Sequence, residues 1–366
     1  MTMLELYILD DNFKPIGLVD QFTSFIWTRK YYDTGSFSLY CDAGYYSVFK
    51  TGTYLYRSDD VELGLLESVG FSQSENGEKT VNVKGRFLKG ILADRVIDKV
   101  QNLSGKTGDV MIRLVNLLAV SPSDPGRKIP NLACAPELGY GSSTEVQATG
   151  DVLLDKLHAL GKEDELSCRI SYIQPAQSLL FEVWQGLDRT QGQSGNSWAV
   201  FSDQYENIQS LSYITDHSSM RNYAYIAGAG EGEARTVVTL DQTNGQPRRE
   251  LYVDARDLQR KKDNDTEMTE EEYTAILLQR GKEKLDEYPL VETFDAKVNV
   301  YSNLEYKTDY DLGDKCTFLN QDLGIEAETR ITEITETYEN GGVTISLVFG
   351  EGQMTIMQRI KREVTR

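Results

Sequence analysis

Residues 61–87, VELGLLESVGFSQSENGEKTVNVKGRF, decide the fold class. Two alternating stretches, Val61–Val69 and Thr80–Phe87, flank Ser74-Glu75-Asn76-Gly77-Glu78. A period of two marks strands with one buried face. Asn76-Gly77 supplies the turn, because both residues tolerate the positive φ of a tight hairpin. The stretch predicts a β-hairpin.

The same texture continues on both sides. Leu4, Leu6 and Ile8 alternate with polar neighbours, and Asp10-Asp11-Asn12 makes a turn. Further runs lie at Phe25–Thr28, Phe37–Cys41 and Thr53–Arg57. Short strands with turn chemistry between them predict a small barrel or sandwich up to about residue 99.

Near residue 100 the period changes. Asp109–Ala119 places Val110, Leu114, Leu117 and Leu118 on one helical face. Residues 121–147, with Pro122, Pro125, Pro130 and Pro136, read as an irregular loop. Thr149 or Asp151 caps a second predicted helix, with Val152, Leu153, Leu157 and Leu160 inward, ending at Gly161. Strands are expected again at Cys168–Ile173, Leu179–Trp184, Trp198–Phe201 and Gln209–Ile214. Tyr223–Ala227 and Arg235–Leu240 read as strands around the glycine loop Gly228–Gly232.

Thr269 and Glu272 form a capping box for a helix that buries Tyr273, Ile276, Leu277 and Leu285, with Pro289 as its stop. Lys261–Glu267, just before it, reads as a solvated linker. From Phe294 to Gly350 the pattern is β again: Phe294, Ala296, Val298 and Val300 alternate, as do Ile325, Ala327, Thr329 and Ile331. Val343–Phe349 closes a hairpin through Glu339-Asn340-Gly341-Gly342, and the basic stretch Gln358–Arg366 follows. The fold class is α+β, β-rich and multidomain.

Composition narrows the function. The 366 residues carry 57 Asp and Glu against 38 Lys and Arg, a formal charge of -19. That excess argues against nucleic-acid wrapping or anionic-membrane binding, both of which need clustered cations. No segment approaches the ~18 apolar residues of a spanning helix. The start MTMLELYILDD lacks the basic n-region of a signal peptide. Cys41, Cys134, Cys168 and Cys316 are scattered without a CxxC pair, which argues against zinc or iron–sulfur sites. They read as reduced thiols of a protein made in the cytosol, with Cys41 and Cys316 as small buried hydrophobes.

Catalytic motifs are weak or absent. Gly105-Lys106-Thr107 resembles the end of a phosphate loop, but Val100 occupies the upstream glycine position and no helix is evident after Thr107. Gly228–Gly232 is GxGxG before a β-like stretch, hence a glycine hairpin or bulge. Asp263, Asp265 and Glu267 open like a calcium loop, but Met268 and Thr274 stand where Gly and Glu are required. Asp311 and Asp314 straddle Gly313 and read as a strand-entry turn rather than a glycosidase pair. His158, on the polar side of a predicted helix, and His217, in a Ser-rich loop, lack a nucleophile context. Trp184 and Trp198 flank a Gly/Gln/Ser-rich loop; packing is favoured over a carbohydrate platform. The expectation is no enzyme and no catalytic, cofactor-binding or metal residue.

Several segments together resemble a known group. Trp27-Thr-Arg29 leads into Tyr32-Asp-Thr-Gly35-Ser-Phe37-Ser-Leu39, and the Ala227–Glu233 glycine turn precedes Arg249-Glu250-Leu-Tyr-Val-Asp254-Ala-Arg256. Tyr310-Asp-Leu-Gly313-Asp314 comes next, then Arg330-Ile-Thr-Glu-Ile334 and Val348-Phe349-Gly350-Glu351-Gly352. Their order and spacing resemble the tail hub (baseplate hub, tail-associated lysin) proteins of long-tailed phages and prophages, especially siphophages of Gram-positive bacteria. The resemblance implies a homotrimeric ring at the tail tip, with two β-barrel-like tube domains per subunit and inserted α/β domains. The domains expected are 1–99 (first tube domain), 100–214 (α/β insertion), 215–240 with 290–350 (second tube domain), 241–289 (helical or α+β insertion) and 351–366 (tail). It implies tail-tube or distal-tail proteins above and receptor-binding or tip proteins below, in a virion assembled in the bacterial cytoplasm. DNA would pass without specific binding along an acidic wall. No peptidoglycan-cutting extension follows Phe349-Gly350 in this sequence, so no activity carries over. The alternatives are a cell-wall carbohydrate-binding or degrading β protein and the hub of a contractile tail or injection device.

Overall fold

The computed structural model describes residues 4–261, 267–322, 324–339 and 342–350. They fall into two compact units. The first comprises Met1–Gln185, Asn222–Glu287 and Thr337–Val343; the second comprises Gly186–Arg221, Tyr288–Glu336 and Thr344–Arg366.

The predicted hairpin is at the centre of the first unit's main sheet. Strands Gly64–Gln73 and Lys79–Phe87 pair antiparallel, with Gly77 at φ +81° in the turn and the Ser74 amide donating to the Glu78 carbonyl at 2.9 Å. The order continues as Ser24–Lys30, Ser36–Asp42, Lys79–Phe87, Gly64–Gln73, Tyr54–Arg57, Leu6–Leu9 and Pro15–Val19. Every neighbouring pair is antiparallel. The path is open at Pro15–Val19: among the described residues these strands close no barrel. Alternate residues of Ser24–Lys30, Ser36–Asp42 and Lys79–Phe87 are buried, so Phe25 and Trp27, Phe37 and Leu39, and Val81 and Val83 meet in one apolar core.

Pro15–Val19 escapes the sequence reading because Pro15 and Gly17 break its pattern. It is an edge strand, where a proline's missing N–H costs nothing. Its Ile16 and Leu18 side chains are exposed.

A second core of the same unit packs helices α1 (Thr107–Val115) and α2 (Leu153–Glu163) against strands Ser167–Ile173 and Ser178–Trp184. Val110 and Leu114 of α1, and Leu157 and Leu160 of α2, are inward as predicted. The α1 turn continues as a π-helical stretch, Asn116–Val120. Three expectations are corrected here. Helix α1 starts directly at Thr107. Helix α2 has Val152 at its N-cap rather than Thr149 or Asp151, and runs through Gly161 to Glu163. Gly161 is not a stop but a close approach: a Cβ there would lie 2.7 Å from the Leu166 carbonyl. Residues 121–147 also contain two strands, Leu132–Cys134 and the start of Ser143–Ala148, whose partners are distant in sequence.

Residues 222–287 build a third, smaller core. Tyr223–Ala227 lies between Val237–Asp241 (antiparallel) and Glu250–Asp254 (parallel), and α3 (Glu270–Asp286) covers one face. The capping box forms with both hydrogen bonds, and Tyr273, Ile276, Leu277 and Leu285 are buried.

In the second unit, Ile208–Asp216, Val291–Val298 and residues 345–350 form an antiparallel set. Lys315–Asn320 pairs antiparallel with Ile325–Glu339 and parallel with Asp188–Arg189 and Val200–Ser202. Phe201, Phe294, Phe318 and Phe349 meet edge-on or tilted in its core. Asn340 and Gly341 of the last predicted turn lie outside the described residues, as do 262–266 of the predicted linker and the 351–366 tail.

Candidate interaction surface

The first residues behind the family resemblance lie in the core. Trp27 is fully buried, 4.3 Å from the Phe87 ring, and its indole N–H donates to the Asp60 carboxylate at 2.9 Å. Arg29 lies two residues along the same face, with Nε 3.8 Å from the same carboxylate. Both charged side chains are under 5% exposed. Trp27-Thr-Arg29 thus reads as an aromatic and a cation sharing one buried acid. Nearby Arg57, fully buried, makes a bidentate pair with Asp59 at 2.9 and 2.7 Å and lies 5.3 Å over the Trp27 ring.

The glycines of this region allow close approach. Phe37 faces Gly85 across the ladder and covers Gly64; a Cβ on Gly64 would lie 2.5 Å from its ring. At Gly85 a Cβ would fall 1.8 Å from the Leu65 carbonyl, at the bulge between Leu66 and Ser68. Beside this bent sheet opens a groove of ≈ 440 Å³ lined by Thr28, Ser36, Ser38, Glu67, Lys84 and Arg86, with Phe37 in its wall. Arg86 is held there by Glu67 at 2.7 Å. The groove's lining mixes hydroxyls, opposite charges and the Phe37 ring on an open face of the sheet.

A buried polar cluster lies between the first unit's sheet and its helices. Burial raises the Glu62 carboxyl pKa, and Lys89 opposes that shift. Lys89, 2% exposed, donates to the Cys168 carbonyl at 3.2 Å. His158 differs from expectation: its Nε2 is buried without a partner, and burial with the nearby Lys89 charge pushes its pKa well below the ordinary value. It is a neutral packing histidine. His217 remains in a polar loop of the second unit, its carbonyl accepting from the Met220 amide.

Gly105-Lys106-Thr107 does enter a helix, contrary to the sequence expectation, but the helix start is filled by the chain. The Thr107 and Gly108 amides donate to the Ser142 and Tyr140 carbonyls, each at 3.0 Å, and the Thr107 hydroxyl donates to Asp164. Gly228–Gly232 joins two antiparallel strands, as the glycine hairpin reading requires. Asp263 and Asp265 lie outside the described residues, and no group of three His, Cys, Asp or Glu fit to hold a metal occurs among those described.

In the second unit, Asp311 to Asp314 is the strand-entry turn. Gly313 has φ +84°, and Asp314, 3% exposed, accepts from the Leu187 amide, Arg189 and the Asp311 amide at 2.7–3.0 Å. Burial raises its pKa despite these donors. Arg330 of the resemblance motif donates to the Gly313 carbonyl. The two tryptophans part company. Trp184 packs against Tyr31 (4.9 Å, edge-on) under Arg169, whereas Trp198 is 54% exposed.

All four cysteines are free thiols, and Cys41, Cys168 and Cys316 are buried. Burial pushes Cys41 and Cys134 up to about 11, and raises Cys168 and Cys316 too. Thiolate is the reactive form. At pH 8, a disulfide reagent is expected to label the folded chain at least ~100-fold more slowly than the same chain in denaturant, where all four react. Fast labelling of two or more thiols in the native state would contradict this burial.

Comparison with known structures places this fold. The tail protein from Neisseria meningitidis MC58 aligns at TM-score 0.58 and 14% identity, over 95% of this chain and 96% of that one. The prophage MuSo2 43 kDa tail protein from Shewanella oneidensis aligns at 0.60 and 12%, over 95% and 98%. The prophage tail protein gp18 from Listeria monocytogenes EGD-e aligns at 0.55 and 13%, over 99% and 98%. None of the curated proteins matches by sequence. The sequence profile of the Siphovirus ReqiPepy6 Gp37-like proteins matches residues 5–351. The resemblance read from the sequence and the fold agree: this chain belongs to the Siphovirus ReqiPepy6 Gp37-like protein family.

Proposed function

We propose that the protein is a structural component of a phage or prophage tail tip, a hub whose three copies form a ring that closes the tail tube and opens for DNA ejection. The observation that carries this reading is end-to-end similarity in fold to phage and prophage tail proteins, each aligned over at least 95% of both chains. In this reading residues 1–99 form one tube domain, and 215–240 with 290–350 form the other. Residues 100–214 and 241–289 are the insertions, and 351–366 is the tail. Two similar domains in each of three subunits adapt a sixfold tube to a threefold tip.

The partners are tube or distal-tail proteins on one side and receptor-binding or tip proteins on the other. The formal charge of -19 per subunit supports passage of DNA without sticking, since like charges repel and contact releases no counterions. Work is done by rotation of subunits or domains, not by bond chemistry.

Light scattering coupled to size-exclusion chromatography tests the ring directly. The expected mass is three times 41.3 kDa, with threefold rings by electron microscopy. A strict monomer at all concentrations, also in the presence of its tube partner, would overturn it.

A further inference from the structure

Trp198 ends a loop that is built more carefully than its position requires. Residues 190–198 leave and re-enter the second unit's sheet at one point, where the Ala199 amide donates to the Arg189 carbonyl at 2.9 Å. Gln193 fills the loop with its own side chain. Its Nε2 donates to the Thr190 and Asn196 carbonyls at 3.2 and 2.9 Å, and its Oε1 accepts from the Gly195 and Asn196 amides at 2.6 and 2.8 Å. Asn196 Nδ2 donates back to the Asp188 carbonyl at 2.9 Å, and Asp188 holds the Thr190 amide and hydroxyl at 3.0 and 2.8 Å. This is a compact Ω-type loop, closed at its base and packed by its own polar groups.

Its one large apolar side chain, Trp198, is half out in solvent, yet the ring is fixed. The indole N–H donates to the Gln193 carbonyl at 2.8 Å. With the N–H used internally, the exposed part that can bind is the π-face and carbon edge of the ring. The rest of the loop offers amides, hydroxyls and glycines: Gln191, Ser194, Asn196 and Ser197 are all exposed. A protein hot spot is ringed by apolar contacts that exclude water, whereas the loop that carries this ring is polar throughout. A flat apolar face within a rim of hydrogen-bonding groups instead matches a pyranose ring, which offers C–H groups on its face and hydroxyls at its edge. Net charge selects further. A chain at -19, with Asp188 and Glu328 bordering the loop, disfavours phosphate-bearing or uronic polymers.

We propose that the 190–198 loop is a binding site for neutral or N-acetylated pyranose units of a surface polysaccharide, with Trp198 as the stacking platform and Gln193 as the residue that positions it. Holding ring and loop rigid beforehand removes part of the ordering cost that a weak sugar contact could not otherwise meet.

The test uses the full chain and three probes: the tetramers of β-1,4-linked N-acetylglucosamine, β-1,4-linked glucose and α-1,4-linked glucose. Ligand-observed saturation-transfer NMR and calorimetry, up to ~20 mM sugar, detect dissociation constants well beyond ~1 mM. At least one probe is expected to bind. Trp198→Ala should weaken it more than ~10-fold with unchanged melting temperature and mass, and Trp198→Phe should retain part of the binding. Gln193→Ala should weaken it several-fold while Trp198 remains. Silence from all three probes overturns the proposal, and so does binding that survives Trp198→Ala. A Trp198→Ala chain that binds no sugar but changes its oligomeric mass identifies a subunit contact instead, and also overturns it. The tail-hub reading is tested separately by the parent chain's mass, so the two fail independently.

Discussion

Replacing Asp60 with alanine is expected to lower stability by about 3–5 kcal/mol, the range found when one partner of a buried ion pair is removed. That carboxylate meets the Trp27 indole N–H at 2.9 Å and Arg29 Nε at 3.8 Å, both inside the sheet core, and also accepts from the Glu62 amide at 3.1 Å. Alanine removes the anion beside the buried Arg29 guanidinium and takes the acceptor from the Trp27 indole N–H, so part of the desolvation cost of each is no longer offset. Asp60→Asn keeps an acceptor for Trp27 but not the charge opposite Arg29, so it should fall between the parent and alanine. Thermal unfolding followed by near-UV circular dichroism is the measurement, since Trp27 reports the site itself. A drop of at least ~6 °C is expected for Asp60→Ala, at roughly 2–4 °C per kcal/mol for a domain of this size. A change within ~1 °C would show that the acid is not what holds Trp27 and Arg29.

The second large effect is at the seam between α2 and α3. Lys156 and Glu283 are 5% and 7% exposed and pair at 2.7 and 2.8 Å through both carboxylate oxygens. Around them the seam is polar: Gln279 donates to Glu163 at 2.6 Å, Lys282 pairs with Glu163 at 3.0 Å, and Lys162 donates to the Asp286 carbonyl at 3.2 Å. The 222–287 core is a cluster of its own, so this seam, together with Gln147 bonded to the Gln259 backbone at 2.7 and 3.3 Å, anchors it to the rest of the first unit. Glu283→Ala strands a buried ammonium and should cost about 3–5 kcal/mol. The double change Lys156→Met with Glu283→Leu removes both charges and is expected to recover most of that loss, since apolar replacement of a buried pair is often neutral. A double-mutant cycle on melting temperatures measures the coupling, and hydrogen exchange in α3 locates it. If the double variant is as unstable as Glu283→Ala, the loss comes from packing rather than from the stranded charge.

These two sites also show what a sequence does not reveal. Asp60 follows Asp59 in what reads as a polar turn, yet one acid pairs with Arg57 and the other with Trp27 and Arg29. Lys156 and Glu283 are 127 residues apart and each reads as an ordinary charged helix position. Burial of a charge depends on which distant element covers it, and no local period carries that information. The same reason accounts for His158, assigned to a polar helix face but sealed beneath neighbours, and for Trp198, expected to pack but left exposed by its loop.

What the sequence determined by itself was local. Alternation and turn chemistry located the Gly64–Phe87 hairpin, the strands on either side of it and most of the later ones, because a strand's buried face repeats every two residues. The 3.6-residue period and a capping box located the helices, since both act within a few residues. The ordered motifs from Trp27 to Gly352 pointed to the family. Only the tertiary structure decided that the first unit's sheet remains open at Pro15–Val19, which helix ends are closed by remote carbonyls, and which charges lie in the core. Each of those depends on pairing between residues far apart in the chain, where the free energy of burial is set by the partner surface and not by neighbours in sequence.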